Sequence, residues 1–65
     1  MGEKLVRIYE IVTEKIGLKG RLALAAKTGI SMTQAAEMED TEDLVNKFKF
    51  AASDVYEEHQ KKTRS

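Results

Sequence analysis

Apolar residues at Leu5, Ile8, Val12 and Ile16 recur three and four positions apart, with Tyr9 beside them, and this spacing predicts an amphipathic helix over residues 3–16. Gly17 follows directly, the residue type that ends helices in a left-handed cap, and Leu18 after it is placed to fold back onto Val12. Residues 18–20 read as a tight connector closed by Gly20. The segment 21–28 is short and alanine-rich, as suits a helix packed closely on its neighbours, and Lys27 sits in a last turn where a cation favours the helix dipole. Gly29 repeats the stop signal, and Ile30 is placed to fold back onto Leu24.

A third helix begins at Ser31, with Gln34 three residues on at capping-box spacing and Ala35, Ala36 and Met38 on its apolar side. It must be short. Thr41 (or Asp40) offers a new N-cap, and Glu42 and Asp43 follow in a first turn that favours acids. Leu44, Phe48, Ala51, Ala52 and Val55 then mark one face of a long fourth helix, on which Glu57–Lys61 and Glu58–Lys62 are favourable i,i+4 pairs. The predicted fold is an all-α, compact four-helix domain over residues 1–61, two longer helices flanking two short ones with a helix-turn-helix-like corner, and a basic tail at 62–65 that frays. No strand-like alternation, internal repeat or proline interrupts this reading.

Composition narrows the function classes. Sixty-five residues allow one domain, and 42% hydrophobic with 34% charged residues is the balance of a globular chain. No run approaches the ~20 apolar residues that span a bilayer, and Glu3, Lys4, Arg7 and Glu10 break up any secretory core at the start, so no membrane association is expected. A short chain without cysteine has neither a disulfide framework nor a thiolate metal site, which points to the cytoplasm. The net charge of zero is unevenly spread. Residues 1–29 carry six cations against three acids, residues 37–43 five acids and no cation, and the remainder five cations against three acids. That makes a dipolar surface rather than a basic face.

Catalytic chemistry is thinly supplied. His59 is the single histidine, among Glu57, Glu58 and Gln60 near the end of the last helix, and reads as a solvated side chain. Ser31 has a cap to make, and Ser53 has no base near it in sequence to activate it. Gly17 and Gly20 follow no strand and read as turn residues, not a phosphate loop. The acids of 37–43 lack the ligand spacing and internal glycine of a calcium loop, so helix capping is their expected purpose. No enzymatic activity, catalytic residue, metal site or cofactor is expected.

One stretch carries more information. Leu24-Ala25, then Gly29, Ile30 and Ser31, resembles the core of helix-turn-helix DNA-binding domains, with the likeness spanning residues 21–38. The resemblance implies a recognition helix over 31–38 that starts at Ser31, with Thr33 and Gln34 nearest the bases and Lys19, Arg21 and Lys27 placed to touch phosphates, so that Arg21, Lys27, Ser31, Thr33 and Gln34 are the DNA-binding candidates. It also implies that Ala25 and Gly29 tolerate no bulk. The recognition helix has no Lys or Arg and runs into Glu37, Glu39 and Asp40, which opposes binding to a polyanion.

The second informative feature is apolar surface in excess of one face per helix. Val6, Tyr9 and Ile11 widen the stripe of the first helix, while on the fourth Val45 lies off the main stripe and Phe50 lies about 200° around from Phe48. Helices apolar on more than one side are buried by more than one neighbour. Either the short helices cover these residues or a partner does. The leading expectation is a non-catalytic helical protein-interaction module, homodimeric or bound to another protein, with Val6, Tyr9, Ile11, Val45 and Phe50 at the interface. The alternative is a small helix-turn-helix DNA-binding regulator.

Overall fold

The computed structural model describes residues 2–64, with side chains through residue 61. It is all-α: four helices, α1 (Glu3–Ile16), α2 (Leu18–Thr28), α3 (Met32–Glu37) and α4 (Glu42–Arg64), with no strand among the described residues. The expected fraying of 62–65 lies outside the described side chains. Helix α1 packs on all three others and α2 also lies on α4, so α1 is the hub. Its inward residues Leu5, Tyr9 and Val12 meet Leu24, Ala35, Phe48 and Val55 in one core.

The junctions explain why the chain folds this way. Gly17 serves two helices at once. Its N–H donates to the Thr13 carbonyl at 2.8 Å, ending α1, and its carbonyl accepts from Gly20 and Arg21 at 3.1 and 3.3 Å, starting α2. Its φ of 95° with ψ of −164° is a conformation essentially restricted to glycine, and it differs from the left-handed cap expected from the sequence. Because this geometry sends the chain straight into the next helix, Leu18 becomes the first helical residue and points outward, 64% exposed, instead of folding back onto Val12. The expected three-residue connector does not exist. Gly20 is accordingly no turn residue but a buried helical one, and a Cβ there would lie 2.7 Å from Ile16 and 3.0 Å from the Val12 side chain. Its missing side chain is what lets α2 close on α1.

The second corner matches its sequence signals. Gly29 adopts the left-handed conformation at φ 72° and ψ 13°, and its N–H caps α2 on the Ala25 carbonyl at 2.8 Å. Ile30 packs against the core. The capping box is complete: Ser31 Oγ accepts from the Gln34 N–H at 3.2 Å, and Gln34 Oε1 accepts from the Ser31 N–H at 3.0 Å. Thr41 caps α4 by accepting the Leu44 N–H at 3.2 Å.

Asp40 does something its position in the sequence does not announce. Its carboxylate accepts the Lys4 N–H at 3.0 Å and the Leu5 N–H at 3.4 Å, capping α1 from the far end of α3. Gly2, at the N-cap position, has no side chain to do so. A Cβ on Gly2 would sit 1.7 Å from the Ala35 carbonyl oxygen, so glycine is what allows α1 to start against the end of α3.

Candidate functional site

Each site candidate read from the sequence now has a place. Tyr9 is wholly buried and Val45 is 8% exposed, so neither is surface available to a partner, and both belong to the core. The reason is that α1 packs on all three other helices, among them α4, which carries Val45, and the sequence pattern of one helix does not reveal this. The Tyr9 ring meets Phe48 edge-on, with centroids 5.7 Å apart at 73°. Its hydroxyl donates to the Ile30 carbonyl, pinning the corner after α2 to the hub helix. Burial raises the Tyr9 pKa above the ordinary tyrosine value, against an opposing hydrogen bond from Thr28 and the charge of Arg21. Thr28 is itself buried and donates to Leu24 O at 2.9 Å.

The remaining interface candidates do not converge. Val6 is half-buried beside Gly2 and Ala36 at the edge facing α3. Ile11 is half-buried between α1 and α4. Phe50 is 74% exposed, and Asn46, Lys47, Ser53 and Asp54, one turn either side of it, are exposed polar residues. A lone exposed aromatic of this kind is ordinary on a soluble surface.

The candidates drawn from the helix-turn-helix resemblance are largely occupied. Ser31 and Gln34 hold each other in the capping box. Lys27 Nζ lies 2.8 Å from Glu58 of α4, and that hydrogen bond raises the lysine pKa. Arg21 is half-buried, and Thr33 is exposed. Of the acids of 37–43, Asp40 caps α1 and Glu42 and Asp43 lie in the first turn of α4, while Glu37 and Glu39 are exposed. Among the described residues no three His, Cys, Asp or Glu side chains are grouped as metal ligands. No described helix is long and apolar enough to cross a membrane.

What the sequence reading missed is the outer face of α2. Leu18 and Leu22 are 64% and 63% exposed, one turn apart, and exposed Ala26 continues the row a turn further on. Half-buried Ala25 lies beside it. The buried residues Gly20, Leu24 and Thr28 run along the opposite side of the same helix. The signal was present in the sequence: two rows at four-residue spacing, offset by two residues, which no single neighbouring helix can cover. The cations flanking the ridge are Lys19 and Arg21, and α2 contains no acid. The half-open hollow nearby, bounded by Gly20, Ala23 and Val55, holds 80 Å³, well below the few hundred Å³ that small-molecule sites occupy.

Comparison with protein-family models, with curated proteins and with solved structures gives no match to this chain.

Proposed function

We propose that this chain is a non-catalytic helical protein-interaction module that self-associates through the outer face of α2. The observation that carries the proposal is the Leu18–Leu22–Ala26 ridge, an apolar row that the other three helices leave uncovered. The row is self-complementary in a two-fold, antiparallel arrangement. With Leu22 near the axis, Leu18 of each copy falls opposite Ala25 and Ala26 of the other, a large residue over small ones.

Magnitudes make the association weak. Four leucines taken from about two-thirds exposed to buried contribute on the order of 4–8 kcal/mol, against an association cost of at least ~4 kcal/mol. At the favourable end the surplus of about 4 kcal/mol gives a Kd on the order of 10⁻³ M, so association shows between roughly 0.1 and 2 mM. Because Lys19 and Arg21 flank the ridge on both copies, added salt should tighten the dimer by screening like charges. The test is sedimentation equilibrium across this concentration range, at low and high salt, for wild type and Leu22→Glu. Association lost in Leu22→Glu supports the proposal. A wild-type monomer at about 2 mM in high salt removes it.

DNA binding is the weaker proposal. Lys27, Ser31 and Gln34 are already engaged within the chain, exposed Glu37 ends α3, and exposed Glu39 follows it.

A further inference from the structure

A second apolar surface lies between α1 and α4 and includes no residue of α2 or α3. Its floor is Ile8, Ile11 and Val12 from one helix and Ala52 and Tyr56 from the other, around an open hollow of 400 Å³. Toward the start of α1 it shares Ile8 and Lys49 with a hollow of 510 Å³ that Lys4 and Arg7 also edge. Toward the end of α1 it shares Ile11 and Tyr56 with a hollow of 570 Å³ edged by Lys15 and His59. The three therefore form one furrow following the helix pair. From Lys4 to Lys15 it runs about 16 Å, the length of roughly three helical turns.

The chemistry of the lining is one-sided. Lys4, Lys15 and Lys49 stand along it together with Arg7, which lies 3.6 Å from Glu10, and Glu3 is the sole carboxylate among its lining residues. On the floor, the Tyr56 hydroxyl is shielded from solvent without a hydrogen-bond partner among the described residues, an arrangement that costs ~1–3 kcal/mol unless something supplies one. An apolar strip between cationic edges is complementary to a helix bearing an apolar stripe between acidic edges. A second copy docked furrow to furrow would set cationic edge against cationic edge.

We infer that the furrow docks an amphipathic helix of another protein, about three turns long, whose apolar stripe is flanked by aspartate or glutamate. This surface is separate from the α2 ridge, so one chain can pair with its copy and still present the furrow.

The probe is a synthetic helical peptide of about 14 residues with a leucine stripe and glutamate flanks, compared with the same stripe flanked by lysine. Binding is followed by amide chemical shifts of the labelled protein at two salt concentrations. The acidic peptide should bind at least about tenfold more tightly than the basic one, weaken with salt, and perturb Ile8, Ile11 and Tyr56. Lys49→Glu, an exposed change that keeps the helical circular dichroism, should lower its affinity at least several-fold, and Leu22→Glu should leave it unchanged. Equal binding of the two peptides, no binding of either, or shifts confined to Leu18 and Leu22 would overturn the inference. So would furrow shifts produced only by vesicles of one part phosphatidylglycerol to three parts phosphatidylcholine, which would assign the surface to anionic lipid.

Discussion

The two sides of α2 have opposite fates, and the more apolar of the two faces out. Its inner side, Gly20, Leu24 and Thr28, is closed against α1 and α4, and every polar atom there has a use: Thr28 bonds Leu24 O and the Ile30 N–H. Its outer side, Leu18, Leu22 and Ala26, lies exposed. Apolarity alone therefore does not make core in so small a domain. What decides is where Gly17 and Gly20 bring α1: a helix closing against a missing side chain buries that side and turns the other outward. The inner side makes the fold, and the outer side is left to make a contact.

The largest expected effect sets the two sides against each other directly. Leu24→Ala should destabilise the domain by about 2–5 kcal/mol through lost burial and a residual cavity. Leu22→Ala, two positions away, should change stability by less than ~0.5 kcal/mol at concentrations where the protein is monomeric. Urea unfolding of both variants measures the difference, and equal costs would mean that the outer side is covered. Next in size is Gly20→Ala, expected to cost ~1–3 kcal/mol because the added Cβ meets Ile16 and Val12 on two branched side chains that must shift together. On the outer side, Ala26→Ser should be close to neutral.

These contrasts also separate what was legible in the sequence from what was not. Helix α1, the Gly29 corner, the Ser31–Gln34 capping box and the core stripe of α4 were all readable, because each depends on residues within a few positions of one another. Leu18, Tyr9, Val45 and Asp40 were not. Leu18 turned outward because Gly17 took an extended ψ rather than a left-handed cap, a choice between two glycine conformations that no neighbouring residue announces. Tyr9 is core because α1 packs on all three other helices, Val45 because α4 lies against α1, and Asp40 caps α1 through a backbone N–H 36 residues away. All are long-range facts. The furrow has the same origin: Ile8, Ile11 and Tyr56 become one surface only when α1 and α4 lie side by side.

A smaller effect separates the sides by pH. The Tyr9 pKa is raised by burial, and Lys27 is raised by its hydrogen bond to Glu58. In both cases folding favours the protonated form. Their contribution is complete below the unfolded values of 10.0 and 10.5 and is lost as pH rises through the higher folded ones. Stability should therefore be flat near neutrality and fall above about pH 10. Tyr9→Phe should start from lower stability, by ~1 kcal/mol for the lost hydroxyl bond, and show a shallower alkaline decline. Leu22→Glu should leave the decline as in wild type. An unchanged slope in Tyr9→Phe would mean that the phenol at the α2–α3 corner is not what titrates.

The smallest expected effect is on duplex DNA. A helix-turn-helix protein retains non-specific affinity with Kd typically ~10⁻⁴–10⁻⁶ M that weakens steeply with salt, because lysines and arginines displace counterions from phosphates. Here the lysine best placed for that role, Lys27, lies 2.8 Å from Glu58. The helix that would enter the groove carries no cation, ends at exposed Glu37 and is followed by exposed Glu39. Titration of labelled random duplex at physiological salt should show no binding within that range. Glu58→Gln sharpens the test, since it frees Lys27 without adding charge to α3. If that variant stays unbound even at low salt, the Gly29 corner serves packing alone. Wild-type binding that Lys27→Gln abolishes would instead make the end of α2 a phosphate contact, and the regulator reading would displace the interaction module.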